Sequence, residues 1–249
     1  MTLATLGRRP ELLALLSAVF FGASIPLSKM LLGQTHALAL SGLLYMGSGM
    51  ALSGLLLLTG RFTGRGKTEA PLSRDDAPWL VGAILCGGVL APLCFLSGLD
   101  RTPSSTASLM LNLETPFTVL LAALLFHEAV GGLAWTALAS TLAGSLLLSY
   151  DAGPTGGGLR GPVLLAASCV LWAMDNNLTR NISHKDPVSA SAIKGLAAGT
   201  ALLGLTAAFG VPLPDARRVL AALAVGAVCY GASQVLFVRS LRAIGTVRT

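Results

Sequence analysis

Charge is what this sequence has least of. Of its 249 residues only 11% are Asp, Glu, Lys or Arg, against about 25% in an ordinary soluble domain, so the chain has almost nothing with which to cover a water-facing surface. Aromatic residues make up 6%, cysteine occurs 4 times and histidine 3 times. Cys86, Cys94, Cys169 and Cys229 all lie inside apolar runs and read as small buried side chains; neither a metal site nor a disulfide framework follows from them. His36, His127 and His184 are scattered without metal-ligand spacing, and Ser24 or Ser28 has no assignable base. Neither a P-loop nor a dinucleotide fingerprint occurs. These absences argue against an enzyme and against an ATP-driven pump domain within this chain, and they imply no cofactor and no metal.

What the sequence has is apolar length. Hydrophobic residues make up 53%, mean hydropathy is +0.74, and Leu and Ala fill stretches near twenty residues, the helical length that crosses a hydrocarbon core of about 30 Å. The pattern predicts an all-α polytopic membrane protein with eight transmembrane helices, at about 11–32, 37–59, 78–99, 104–126, 130–150, 161–183, 188–210 and 216–238. The first segment reads as a spanning helix, because no small-residue cleavage site follows it. The 29 glycines suit close helix packing in lipid.

With the N-terminus cytoplasmic, eleven Lys and Arg fall inside and four outside: Arg8, Arg9, Arg61, Arg65, Lys67, Arg74, Arg180, Lys185, Arg239, Arg242 and Arg248 against Arg101, Arg160, Arg217 and Arg218. The positive-inside bias therefore places both termini in the cytoplasm, and the basic excess reflects orientation in the inner membrane, with lipid as partner and no nucleic acid.

An internal repeat is legible. SAVFFGASIPLSK, Ser17 to Lys29, aligns with SCVLWAMDNNLTR, Ser168 to Arg180, at an offset of 151, and SGLDRTPSSTA, Ser97 to Ala107, meets RSLRAIGTVRT, Arg239 to Thr249, at 142. Five spans in the first copy make the second start on the opposite side, an inverted repeat of the kind used for alternating access. The expected organisation is a first five-helix repeat over 1–150, a glycine-rich outer linker and hinge at 151–160, and a second, incomplete copy of three helices over 161–249.

ASLMLNLETPFTVLLAALLFHE, Ala107 to Glu128, resembles the fourth-helix pattern of EamA-like permeases in the drug/metabolite transporter superfamily, an asparagine–leucine–glutamate core followed by an apolar run ending in glutamate. Where the family usually has proline directly after the first glutamate, Thr115 intervenes before Pro116. WAMDNNLTR, Trp172 to Arg180, resembles the opening helix of the second domain in one subgroup. The resemblance implies ten spans in two five-helix repeats and transport of small metabolites, amino acids or drugs by exchange or ion coupling. It also implies that the last two helices are lacking here. Three readings follow: a small-molecule permease, a homodimer in which another subunit supplies the missing pair, or a non-transporting membrane interaction protein or inactive permease.

Glu114 lies halfway along the fourth span, where an ionised carboxylate costs about 2.5–3.5 kcal/mol and must meet water, a donor or a cation, or stay protonated. Pro116 frees the carbonyl of Asn112, so Asn112 and Glu114 together read as a polar pocket for substrate or protons, or as a structural clamp. Asp175, Asn176, Asn177 and Thr179 form a second group that faces the bundle interior, lining a cavity or packing helices. Lys29 and Lys194 read as interfacial side chains or as counter-charges to Glu114, Asp175 or an anionic solute; Arg180 and Glu128 are further candidates at helix ends. The topology carries its own test: single cysteines at Arg65 and Thr155 should label from the cytoplasmic and outer side respectively, and the opposite pattern overturns the orientation.

Overall fold

The computed structural model describes residues 10–59, 70–126, 131–151 and 159–248. Among these, eight helical rods follow one another. They are α1 (Pro10–Leu32), α2 (Ala37–Leu58), α3, α4, α5 (Gly132–Asp151), α6 (Arg160–Asn181), α7 (Pro187–Ala208) and α8. Three of them change winding along their length. α3 enters through a 3-10 turn at Arg74–Asp76 and passes from α-helix at Ala77–Ala83 through a π-helical stretch at Ile84–Leu90 to α-helix at Ala91–Asp100. α4 runs Ser104–Met110, a 3-10 turn at Leu111–Leu113, then Glu114–Phe126. α8 runs Ala216–Val225, a second π-helical stretch at Gly226–Ala232, then Ser233–Arg248. α1, α2, α3, α4, α7 and α8 are long and apolar enough to cross a membrane, so 6 spans stand on length and composition.

The distribution of polarity suits hydrocarbon as solvent. α1 buries Ser17, Ser24 and Ser28 while Leu15, Val19 and Met30 stand 61%, 64% and 79% exposed. A water-soluble helix does the reverse. Ser17 and Ser24 satisfy their hydroxyls inside the bundle, on Ser233 O at 2.9 Å and Phe21 O at 2.6 Å, whereas the outward leucine, valine and methionine cost nothing against lipid tails.

Packing at the centre depends on glycine. α7 carries Gly195 and Gly199, four apart on one face, and α2 carries Gly49 and Gly42; a Cβ on Gly195 would meet the backbone N and Cα of Gly49, and one on Gly199 the backbone of Met46. Small residues at this spacing let two backbones touch, which is how helices gain contact where the lipid offers no hydrophobic drive. α8 approaches α2 in the same way, with Gly226 against Leu44 and Gly47 against Leu223. α6 lies along α3 and α4, α1 along α8, and α5 against α4.

Helix ends are set by local chemistry. Asp186 and Asp215 cap α7 and α8 by accepting from the backbone N–H of Val188 at 3.1 Å and Arg218 at 3.0 Å. Arg218 and its neighbours hold the Asp215 carboxyl below its usual range. α7 stops at Gly210, whose φ of +63 allows Val211 N–H to reach back to Thr206 O at 2.9 Å. Among the described residues, side chains tie the connections together at both ends of the bundle. Lys29 donates to the carbonyls of Leu99, Asp100 and Thr102 and Arg218 to Gln34 at one end, while Lys185 pairs with Asp76 at 3.1 Å and Arg242 donates to Ser183 O at 2.6 Å at the other.

Gly195→Ala should lower the unfolding midpoint in detergent by the equivalent of about 1–3 kcal/mol, because its methyl has only backbone to displace. Gly204→Ala, at an exposed position with open space around it, should be neutral or stabilising by about 0.5–1 kcal/mol. Equal midpoints for the two variants would contradict the glycine contact.

Candidate functional site

α1, α2, α4, α6 and α8 surround a cavity of about 210 Å³. Five aromatic side chains line it, Phe21 from α1, Tyr45 from α2, Trp172 from α6, and Tyr230 and Phe237 from α8. Phe21 stands edge-on to both Trp172 and Tyr230, at centroid distances of 5.5 Å and 5.7 Å, and Tyr45 lies 5.6 Å from Tyr230. Glu114, Asp175, Asn176, Gln234, Ser17 and Ser233 supply the polar part.

The positions of Tyr45 and Trp172 follow from one backbone carbonyl. In the π-helical stretch of α3 the N–H of Ala91 bonds to Cys86 O rather than to Gly87 O. The donor that π winding would offer Gly87 belongs to residue 92, which is proline and has none. The stranded carbonyl is satisfied from outside the helix, by the Tyr45 hydroxyl at 2.5 Å and the Trp172 indole N–H at 3.3 Å. A buried carbonyl in hydrocarbon must find such donors, and in doing so it fixes two walls of the cavity. Gly87 also has no side chain for a second reason: a Cβ there would collide with the Asp175 carboxyl.

Asp175 is 3% exposed and carries an ion pair to Lys194, itself 6% exposed. Its second oxygen accepts from Thr179 Oγ1 at 3.1 Å. Both oxygens are thereby engaged, and α6 is tied to α7. Asn177, fully buried, donates to Thr118 O at 3.0 Å and Ala173 O at 2.8 Å and so clamps α6 to α4. Asn176, one residue and about 100° away round the helix, instead faces the cavity and donates to Glu114 Oε1 at 2.7 Å and Thr118 Oγ1 at 3.3 Å. Glu114 begins the regular part of α4, directly after the 3-10 turn at Leu111–Leu113. Its own N–H bonds three residues back to Leu111 O, in the stretch that precedes Pro116.

The structure thus brings together Glu114, Asp175, Asn176, Asn177, Thr179 and Lys194. Asn112 is exposed and outside the cavity. Lys29 is committed to the carbonyls at the end of α3 and Arg180 is not part of the lining. Glu128 lies outside the described residues. Tyr45, Tyr230, Phe237 and the Ser17 and Ser233 pair were not singled out from sequence, and Trp172 read there as an interfacial or packing residue rather than a stacking platform. Ser17 Oγ donates to Ser233 O, and Ser233 Oγ to Ser17 O, each at 2.9 Å, forming a reciprocal clasp between α1 and α8 at the cavity edge. Two hydroxyls nearby, Ser28 Oγ and Tyr230 OH, are buried without a hydrogen-bond partner.

Removing one partner of the buried pair strands the other. Asp175→Asn should destabilise the detergent-solubilised protein by roughly 3–5 kcal/mol, with Lys194→Met in the same chain restoring most of it. Thermal unfolding reads this out, and an unchanged midpoint for the single variant would remove the pair's structural role.

Comparisons with known proteins agree with this architecture. A curated relative from Methanothermobacter thermautotrophicus, described as an uncharacterized transporter, is 29% identical over 247 residues, aligned to 92% of this chain and 70% of that protein. A protein of known crystal structure shares the fold with a TM-score of 0.68 at 19% identity, over 94% of this chain and 79% of that one. The model of the EamA-like transporter family matches residues 8–150, more than half of the sequence. With six apolar helices long enough to cross a membrane and that match across its N-terminal part, the chain is a multi-pass integral membrane protein that belongs to the EamA-like transporter family.

Proposed function

We propose that this chain is a secondary transporter that moves a small polar or amphipathic organic solute by alternating access, with Glu114 contacting the solute or carrying a coupling proton. The observation that carries the proposal is a carboxylate placed on the wall of a cavity between the helices, with a single amide, Asn176, as its side-chain donor. Intramembrane carboxylates of this kind mark substrate and proton pathways.

Eight spans arranged as two oppositely directed copies, with both termini cytoplasmic in the inner membrane, complete the proposal. Several features support the two copies. Ile84 and Gly226 open the two π-helical stretches 142 residues apart, the offset read from the sequence repeat. Phe21 and Trp172, equivalent at the offset of 151, touch across the cavity. Exchanging α1 with α6, α2 with α7 and α3 with α8 maps the α1–α8 packing onto α6–α3, and α2–α8 onto α7–α3. Such a bundle can rock about the shared α2–α7 contact and expose the cavity to one side at a time.

The test is flux in proteoliposomes carrying an internal pH-sensitive dye, with gradients of amino acids, nucleobases and organic amines imposed in turn. At least one class should drive a solute-dependent pH change in the native protein, and Glu114→Gln should abolish it while the variant still inserts. Solute flux with an unaltered pH response in the variant removes the proton role.

A further inference from the structure

We propose that the cavity takes an organic cation, a quaternary ammonium or protonated amine carrying an apolar or aromatic body, with Glu114 as its counter-charge. This rests on the transport reading above and names the chemical class of its solute.

Charge is the first support. The lining includes two carboxylates, Glu114 and Asp175, and no Lys, Arg or His. Lys194, which is not part of the lining, neutralises Asp175, and Thr179 occupies the remaining oxygen. Glu114 receives one side-chain hydrogen bond, from a neutral amide, and among the described residues no cation lies within ion-pair distance. An ionised Glu114 leaves the cavity with one uncompensated negative charge. A cationic solute supplies the missing charge, a neutral one leaves the carboxylate as it was, and an anion adds a second negative charge in a medium where that is costly.

The second support is where the donors point. Anion sites are built from convergent N–H and O–H groups, and this cavity has spent most of its own. The Tyr45 hydroxyl and the Trp172 indole N–H both go to Gly87 O, the Ser17 and Ser233 hydroxyls go to each other's backbone carbonyls, and the Asn176 amide goes to Glu114 and Thr118; the donors left over are two neutral groups, the Tyr230 hydroxyl and the Gln234 amide. Apart from those two neutral groups, the lining presents ring surface and carboxylate oxygen. Aromatic rings attract cations through their quadrupole, most strongly where water is excluded.

The experiment measures equilibrium binding by calorimetry to the purified full chain in lipid nanodiscs, with empty nanodiscs subtracted. The probes are phenyltrimethylammonium, benzoate and benzyl alcohol, similar in size and differing in charge. Phenyltrimethylammonium should bind at least about tenfold more tightly than the other two, and Glu114→Gln should weaken it by about tenfold while leaving benzyl alcohol unaffected; Phe237→Leu should weaken the cation a few-fold. The comparison among probes needs no variant, so it stands whether or not Glu114→Gln folds. Benzoate or benzyl alcohol binding as tightly as the cation, no measurable cation binding, or full cation affinity in Glu114→Gln overturns the proposal. Flux is read separately: cation binding without transport removes the transport reading and keeps the site, whereas transport of a neutral or anionic solute without cation binding does the reverse.

Discussion

The ion pair between Asp175 and Lys194 is the interaction on which the centre of this bundle depends. It joins α6 to α7, presses the Asp175 carboxyl against the bare backbone of Gly87 on α3, and uses both of that carboxyl's oxygens. A single buried charge in hydrocarbon has no stable arrangement; two that meet with good geometry can be held, at the expense of restricting every helix that carries them. The consequences spread outward. Gly87 must be glycine; its carbonyl, stranded by the π winding and Pro92, is served from neighbouring helices, and the two side chains that serve it, Tyr45 and Trp172, become cavity walls. The polar core and the apolar cavity are therefore parts of one arrangement, in which satisfying a buried backbone group decides where ring surface lies.

Much of the fold was legible from sequence because membrane spans are set by length and hydropathy, two properties that a linear sequence displays directly. The expected segments coincide with the observed rods to within a few residues at most ends. What could not be read was the winding within them. Pro92, five residues after Gly87, is the local sign of the π-helical stretch in α3; the one in α8 has no proline within it or directly after it, and only the repeat points to it. α6 drew notice because carboxylate, amides and hydroxyl are costly in lipid, and five of the residues singled out there and elsewhere do converge with Glu114. Their separate duties were not visible. Asn176 and Asn177 are identical and adjacent, yet one faces the cavity and the other pins α4, a difference set by helical angle and by where α4 happens to run. Lys194 could equally have reached an interface, and its pairing depends on α6 and α7 both packing against α3. Tyr45, Tyr230 and Phe237 gave no signal at all, because an aromatic residue in an apolar run reads the same whether it faces lipid, core or cavity.

Glycine and serine divide the remaining labour. Glycines bring α2 into backbone contact with α7 and α8, which gives the bundle a rigid spine without large side chains. Serines, buried along α1, supply polar contacts where leucine would have supplied only bulk. The outward faces carry large apolar residues such as Met30 and Leu58, while the interior combines buried leucines, among them Leu40, Leu44, Leu96 and Leu99, with small, polar and aromatic groups.

The clasp between Ser17 and Ser233 has a consequence for motion. Its two hydrogen bonds run from each hydroxyl to the other's backbone carbonyl, so parting α1 from α8 releases two donors inside lipid. A released serine is not left stranded, because a carbonyl four residues earlier in its own helix stands within reach, the bond that Ser41, Ser108, Ser140 and Thr206 already make at 2.8 Å, 2.8 Å, 2.9 Å and 2.8 Å. Each hydroxyl has a resting place in either state. The edge of the cavity is thus a seam that can unfasten with no net loss of hydrogen bonds, leaving van der Waals contact between the two helices as the chief resistance to opening.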